Sequence, residues 1–487
     1  LTIAIRAVDL NVLNLHTRMP FQYGIAEMTA LPHLFVSVTA EVDGRSRVGV
    51  AADHLPPKWF TKNPATSFRD DVAEMVTVIR AACESALSLP EAETVFALWR
   101  QLYERQQAWA GNAYPPLLWG FGVSLVERAA IDAFCRATNR PFAEAVRANT
   151  LGIRLGAIHR ELEGAAPSDF LPDAPLGQIL LRHTVGLSDP LTEEEIPEEA
   201  RLDDGLPQSL EASIHAYGLT HFKIKVSGDS ARDIARLRSI AAVVEQACTG
   251  YAFTLDGNEQ VRSVEQFRAF WETLRRDPTL SAFLGHLLFV EQPLHREVAL
   301  DEEVGRALLD WPKRPPIIID ESDATLDSLP TALERGYAGT SHKNCKGVFK
   351  GIANACLIAH RARQNPGQPL VLSAEDLTNV GPVALLQDLA VVATLGISHA
   401  ERNGQHYFRG TSMLPDDLQQ RLLARHGDLY RRHERGFAML DVQGGAIKVG
   451  SLVQAPFGVA FDPEPSRFTP LAAWEFDSLA GLADSAH

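Results

Sequence analysis

The sequence predicts an α/β chain built on a TIM-type (β/α) barrel, preceded by an α+β domain. Two observations carry the barrel. Five short apolar runs each end at or beside a charged residue: HFKIKV with Lys225, YAFTLD with Asp256, LLFVE with Glu291, PPIIID with Asp320 and GTSHK with Lys343. Lys225 to Asp256 is 31 positions, and the next steps are 35, 29 and 23, each long enough for a helix and its loops. That is the repeat of a barrel whose chemistry collects at the C-terminal strand ends. A third observation sets the leading domain. Residues 1–60 alternate like strands (LTIAIRAVDLNVL, LPHLFVSVTAEV, RVGVAAD) with a turn at Asp43-Gly44, and 65–147 read as helices.

Taken in order, the chain divides into 1–150, an α+β domain; 151–410, the barrel; and 411–487, a segment with no core of its own that packs back on the first domain. The best helix of the first domain is FGVSLVERAAIDAFCRA, with Val123, Val126, Ala130, Ile131 and Phe134 on one stripe. The first barrel strand fits QILLRHTVG at 178–186. The acidic run TEEEIPEEARLDD at 192–204 reads as a solvated insertion or a helix start. In 221–226, Lys223 and Lys225 share one face while Phe222, Ile224 and Val226 share the other. In a barrel the lysine face points inward. The same alternation turns Thr254 and Asp256 inward, and Asp320 inward rather than its neighbour Glu321. Strand seven fits PLVLSAED at 369–376 and strand eight GISHAE at 396–401. The tail reads as a helix and then short strands MLDVQ, AIKVG and GVAFD.

Composition narrows the function. Hydrophobic content of 46% and charged content of 22% over 487 residues fit a globular enzyme. A net charge of −15 argues against a nucleic-acid partner, which needs a basic face. No apolar run approaches the ~18 residues of a membrane span. The start, LTIAIRAVDL, is too short and too polar for a signal peptide. Five cysteines (Cys83, Cys135, Cys248, Cys345, Cys356) are scattered with no CxxC, which suggests a cytoplasmic protein without disulfides or a zinc site. Three carboxylates converging at strand ends make a hard-cation site of the Mg²⁺ type, with Asp256, Glu291 and Asp320 as ligands. Lysines on either side suggest acid/base chemistry beside it.

The motifs Lys223-Ile224-Lys225, Asp256-Gly257-Asn258, Glu291-Gln292-Pro293, Asp320-Glu321-Ser322 and Lys343-Asn344-Cys345-Lys346-Gly347, in this order, resemble the enolase superfamily. The closest likeness is to the muconate lactonizing subgroup of the mandelate racemase/muconate lactonizing enzyme family. VERAAIDAF resembles the last helix of that family's capping domain and QAPFGVAFD its closing strand. The resemblance implies a modified, enolase-like barrel under a capping lid, and a small carboxylate substrate bound to Mg²⁺. Its α-proton is removed and the enediolate is held by the metal. Lys225 and Lys343 would be acid/base groups on opposite substrate faces, their protons loosened by Mg²⁺ and by each other. Lys223 would assist Lys225 by like charge and hold the anion. A homo-oligomer is also implied.

Several positions depart from the family pattern. Gly347-Val348 stands where Gly-Gly is frequent. Strand eight reads His399-Ala400-Glu401, not the Asp-x-Asp of dipeptide epimerases, and strand seven has no catalytic histidine. Glu375 and Glu401 face the cavity by alternation and either bind substrate or anchor a lysine. Lys346 reads equally as a surface or loop lysine and as a catalytic one. His183, His399 and His406 read as hydrogen-bonded structural histidines. The matching lid stretches are 18–23 and 53–60, whose Arg18, Tyr23, Lys58 and Trp59, with Asn258, are candidate substrate contacts. The expected activity is that of a racemase or epimerase, with dehydratase or cycloisomerase as the alternative on the same site. A hydrolase or aldolase barrel and a non-catalytic binding barrel fit less of the pattern.

Overall fold

Three long strands form the N-terminal sheet: β1 (Ile3–Tyr23), β2 (Ala26–Val42) and β3 (Arg45–His54), antiparallel and in sequence order. The computed structural model in which they are seen describes residues 1–485. The second connection is tight because Asp43 and Gly44 both take positive φ, 45° and 74°, as a two-residue hairpin turn requires. Helices α1 (Phe68–Leu87), α2 (Val95–Ala110) and α3 (Pro116–Thr138) follow. Ser67 and Asp70 form a capping box at the start of α1. Almost all of α3 is buried, since it lies against β2 and β3 on one side and the barrel on the other. Gly49 of β3 permits this approach: a Cβ there would stand 2.1 Å from the carbonyl oxygen of Ala129.

The barrel strands are β4 (Gln178–Val185), β5 (His221–Lys225), β6 (Ala252–Asp256), β7 (Leu287–Glu291), β8 (Ile317–Ile319), β9 (Gly339–His342), β10 (Val371–Ala374) and β11 (His399–Glu401). Their hydrogen-bonded order is β10-β9-β8-β7-β6-β5-β4-β11, all parallel. β11 lies beside β10, which curls the sheet into a barrel. Phe222, Ile224, Phe253 and Leu255 face the surrounding helices and are fully buried. Phe289, Ile318 and Ala338 fill the barrel interior as a separate apolar cluster. A register shift in β7 skips Leu288 and brings Asp256 directly opposite Glu291, with Lys225 opposite Asp256. Three charged residues thus stand abreast at one level.

Residues beyond 411 divide their contacts. A hairpin of β12 (Tyr430–Arg432) and β13 (Ala438–Leu440) leads to β14 (Ala446–Lys448), which pairs antiparallel with the start of β4, below the stretch that β5 covers. Farther on, β15 (Thr469–Pro470) pairs with β1, and Trp474 donates to Asn14 at 2.8 Å. The tail therefore ties the barrel to the N-terminal sheet. Among the described residues no helix is long and apolar enough to cross a membrane.

One carboxylate joins the two halves. Glu127 of α3 accepts from the backbone N–H groups of Val348 (3.1 Å) and Phe349 (2.7 Å), which open the helix Val348–Gln364. This satisfies two donors that a helix N-terminus leaves unpaired. Removing the carboxylate in Glu127→Ala strands both buried N–H groups and should lower stability by about 2–4 kcal/mol, read as a drop in the urea midpoint with the slope unchanged.

Stability should also peak near pH 6.5. Burial pushes Glu127 up to about 7 and Asp388 up to about 8. A raised carboxyl stabilises the fold at low pH, and that contribution is lost as pH rises through its folded value. Burial drives His54 down to about 3, and His183 and His426 to about 4. Depressed histidines stabilise above their unfolded value of ~6.5 and lose that contribution as pH falls. Melting at pH 5, 6.5 and 8.5 should show the highest Tm at the middle value, with a loss on the order of 2 kcal/mol on the alkaline side.

Candidate active site

Lys223 stands at the centre of the barrel mouth. Its Nζ is 2.6 Å from Glu375 Oε2 and 3.0 Å from each of Asp256 Oδ2, Glu291 Oε1 and Glu401 Oε2. Lys225 Nζ lies 2.6 Å from Asp256 Oδ2. Lys343 Nζ is 2.8 Å from Asp320 Oδ2 and 3.2 Å from Glu375 Oε2. Lys346 is buried, not on the surface, and donates to Asp320 Oδ1 at 3.0 Å, the Asp320 carbonyl at 3.1 Å and the Ser341 carbonyl at 2.5 Å. Glu375 and Glu401 both anchor Lys223, so lysine binding is the role the geometry gives each of them. All these side chains are buried.

Arg182 escaped the sequence reading. It projects inward from β4 and donates to Glu375 Oε1 at 3.0 Å and Ser373 Oγ at 2.8 Å. Its guanidinium lies 5.3 Å from the centre of the Phe289 ring, below the carboxylates. The signal was present: in ILLRHTV the arginine shares parity with Thr184, which pairs in register with Lys223. Gln292, of the Glu-Gln-Pro motif, accepts from the backbone N–H of Asp320 at 2.8 Å and so aligns the next strand end.

Electrostatics follow from these contacts. Burial would lower Lys223, but Asp256, Glu291, Glu375 and Glu401 outweigh it and hold its ammonium well above the usual range. Lys343 behaves alike: burial lowers it, and Asp320 with Glu375 raise it well above. The loosening of the Lys343 proton expected from sequence rests on a bound Mg²⁺; the two carboxylates in contact with Lys343 act against it. Burial raises Asp256, yet Lys223 and Lys225 bring it down to about 2. Glu291 is pushed well up by burial and by Glu375. Glu321 points away from this cluster. Burial, Asp320 and Glu259 drive it up to about 8.

Oxygen atoms of Glu291, Asp320 and Glu375 all lie within 4.8 Å of one another. Glu291 Oε2 is buried without a hydrogen-bond partner. An all-oxygen set of acids with one orphaned oxygen fits a hard divalent cation. Of the ligands expected from sequence, Glu291 and Asp320 come together here. Asp256 stands beside them, its Oδ2 shared by two lysines and its Oδ1 accepting from the Asn258 N–H at 2.8 Å.

The lid candidates separate. Tyr23 and Trp59 line a cavity with Lys225, Lys343, Asn258 and Glu401. The Trp59 ring lies 4.5 Å from Lys343 Nζ. Arg18 turns away to Asp204, at 2.6 Å, and Lys58 to Asp71, at 3.1 Å. The lid is clamped by residues that sequence patterns did not mark. Arg296 donates to the carbonyls of Trp59 and Phe60 while pairing with Glu259, and Lys62 donates to the Asn258 carbonyl.

Asp320 and Glu321 are adjacent acids with different surroundings, so they separate in a binding measurement. Asp320→Asn should weaken Mn²⁺ binding, followed by its paramagnetic resonance signal, by about 30-fold or more, on the scale of one lost charged ligand. Glu321→Gln should change it by less than about threefold. Equal losses would count against the inward assignment of Asp320.

No family model matches the chain, and no curated protein matches it. Solved structures do. A mandelate racemase/muconate lactonizing protein from Herpetosiphon aurantiacus is 17% identical, with 92% of this chain and 96% of that one covered and a TM-score of 0.57. An N-succinyl Arg/Lys racemase from Bacillus cereus is 14% identical over 91% and 92%, TM-score 0.57. An enolase from Bradyrhizobium, complexed with magnesium and mandelic acid, is 14% identical over 96% and 99%, TM-score 0.56. The chain therefore has the fold of mandelate racemase/muconate lactonizing and enolase-superfamily proteins, a barrel joined to an N-terminal capping domain.

Proposed function

We propose that the protein is an Mg²⁺-dependent racemase or epimerase that moves the α-proton of a small carboxylate substrate. One observation carries this reading: Lys225 and Lys343 line the same cavity from β5 and β9, strands four apart in an eight-strand ring. A planar intermediate between them would be open to a proton on either face. Racemase and magnesium-bound neighbours with the same fold support the reading as analogies.

The cation would be held by Glu291 and Asp320, with Glu375 and Asp256 beside them, and would supply positive charge against the substrate's carboxylate oxygens. Lys225, whose single carboxylate partner is Asp256, accepts the proton on one face, and the C–H electron pair remains on the substrate. Lys343, kept charged by Asp320 and Glu375, delivers a proton to the other face. Lys223 keeps its ammonium among four carboxylates and acts as fixed charge. Trp59 covers Lys343 and keeps water from it.

Lys225→Ala and Lys343→Ala should each lower racemisation about 10²–10⁴-fold, the usual worth of a general acid or base. In deuterated water each variant should still exchange the α-proton of one enantiomer and not the other. Exchange of both enantiomers by either variant would show the two-base assignment to be wrong. Loss of all exchange in one variant, with full exchange in the other, would identify a one-base elimination or cycloisomerisation.

A further inference from the structure

The cavity over the carboxylates has two unlike walls. Phe21, Met28, Pro56 and Trp59 come from the capping domain, and Leu377 joins them from the loop after β10. Tyr23 adds its ring, while its hydroxyl is spent on the Pro57 carbonyl at 2.8 Å. Opposite, the barrel presents Lys225, Lys343, two acids, Asp376 and Glu401, and the uncharged Asn258, Thr378 and Asn403.

None of the lid's three nearby cations is left for a ligand. Arg18 is bound by both oxygens of Asp204, at 2.6 and 2.9 Å, and by the carbonyls of Leu206, Pro207 and His406. Lys58 donates to Thr66 Oγ1 at 2.7 Å and Asp71 at 3.1 Å. Lys62 holds the Asn258 carbonyl and lies 3.8 Å from Glu259. Asp376 in turn is matched by Arg402 at 2.9 Å. A substrate's first carboxylate meets the lysines of the barrel. A second one, carried on the α-substituent, would meet apolar side chains, the uncharged Asn258, Thr378 and Asn403, or Glu401, with no counter-charge. The space is also small, about 40 Å³, and the Trp59 ring bounds it, 4.5 Å from Lys343 Nζ.

We propose that this cavity selects a compact monocarboxylic acid with an uncharged, apolar α-substituent, and disfavours diacids. The inference rests on the proposed α-proton chemistry for where the first carboxylate sits; the selectivity itself comes from the apolar wall and the occupied lid cations.

The test is calorimetry on the Mn²⁺-loaded protein with 2-hydroxyisovalerate, malate and mandelate, followed by α-proton exchange of each in deuterated water. 2-Hydroxyisovalerate should bind at least tenfold more tightly than malate. Leu377→Lys, which puts a cation on the apolar wall, should shift that ratio toward malate at least tenfold. Trp59→Ala should raise mandelate affinity at least fivefold relative to 2-hydroxyisovalerate. Malate binding as tightly as 2-hydroxyisovalerate or more so, or no measurable binding of either, would overturn the proposal, and an unchanged mandelate ratio in Trp59→Ala would overturn its size limit. The two readings fail separately. The expected preference without any α-proton exchange supports the selectivity and defeats the racemase. Tight binding and exchange of malate defeats the selectivity and leaves the racemase standing.

Discussion

Five carboxylates share one buried layer at the mouth of this barrel, and their mutual repulsion is the constraint around which the site is arranged. Two such charges ~4 Å apart at an effective dielectric of ~20 repel by about 4 kcal/mol. The sequence answers with five cations placed among them: Lys223, Lys225 and Lys343 at the strand ends, Lys346 in the turn after β9, and Arg182 beneath. Glu375 is the shared member. One oxygen takes Arg182 and the other both Lys223 and Lys343. Deleting Asp256 leaves Lys225, and deleting Glu375 leaves Arg182, buried without a carboxylate partner, which typically costs about 3–5 kcal/mol. The side chains are therefore fixed by each other as much as by their strands.

This arrangement explains what was legible in the sequence. Strand alternation put Lys223, Lys225 and Asp256 inward because an apolar outer face had to meet the helices, and Phe222, Ile224, Phe253 and Leu255 do so. It also separated Asp320 from Glu321. Alternation assigns a direction and not a partner, so it left Glu375 and Glu401 undecided between substrate and lysine. It also left Lys346 undecided, since that residue sits past the strand, in a 3₁₀ turn that folds it back onto Asp320. Arg182 was missed for a different reason. Its parity with Thr184 turns it inward, but the carboxylate it binds, Glu375, lies 193 residues away in sequence.

The lid could be located in sequence but its side chains could not be oriented. Arg18 and Lys58 have the charge to meet an anionic ligand, yet both satisfy acids within the protein, Asp204 and Asp71. Those partners lie 186 and 13 residues away, and no local pattern pairs them. The same long-range ties hold the two halves of the site in place. Glu127 of the capping domain fixes the start of the helix that follows Lys343, and Arg296 of the barrel grips the backbone under Trp59. Lys343 thus lies between two points at which the capping domain and the barrel are tied together.

Lys225 and Lys343 occupy comparable positions across the barrel but not comparable environments. Lys225 has one carboxylate contact. Lys343 has two, together with the face of Trp59, and aromatic faces favour the charged ammonium. Each of these contacts stabilises the proton on Lys343. A two-base racemase needs both lysines to change protonation state in each direction, so the two directions of the proposed reaction meet different barriers within the protein even though a racemisation has no net driving force. A cation held by Glu291 and Asp320 would relieve the asymmetry, both by its own charge and by sharing the oxygens that pair with Lys343. In this site, the residues that would hold the metal are the same residues that set the acidity of one of the two acid/base groups.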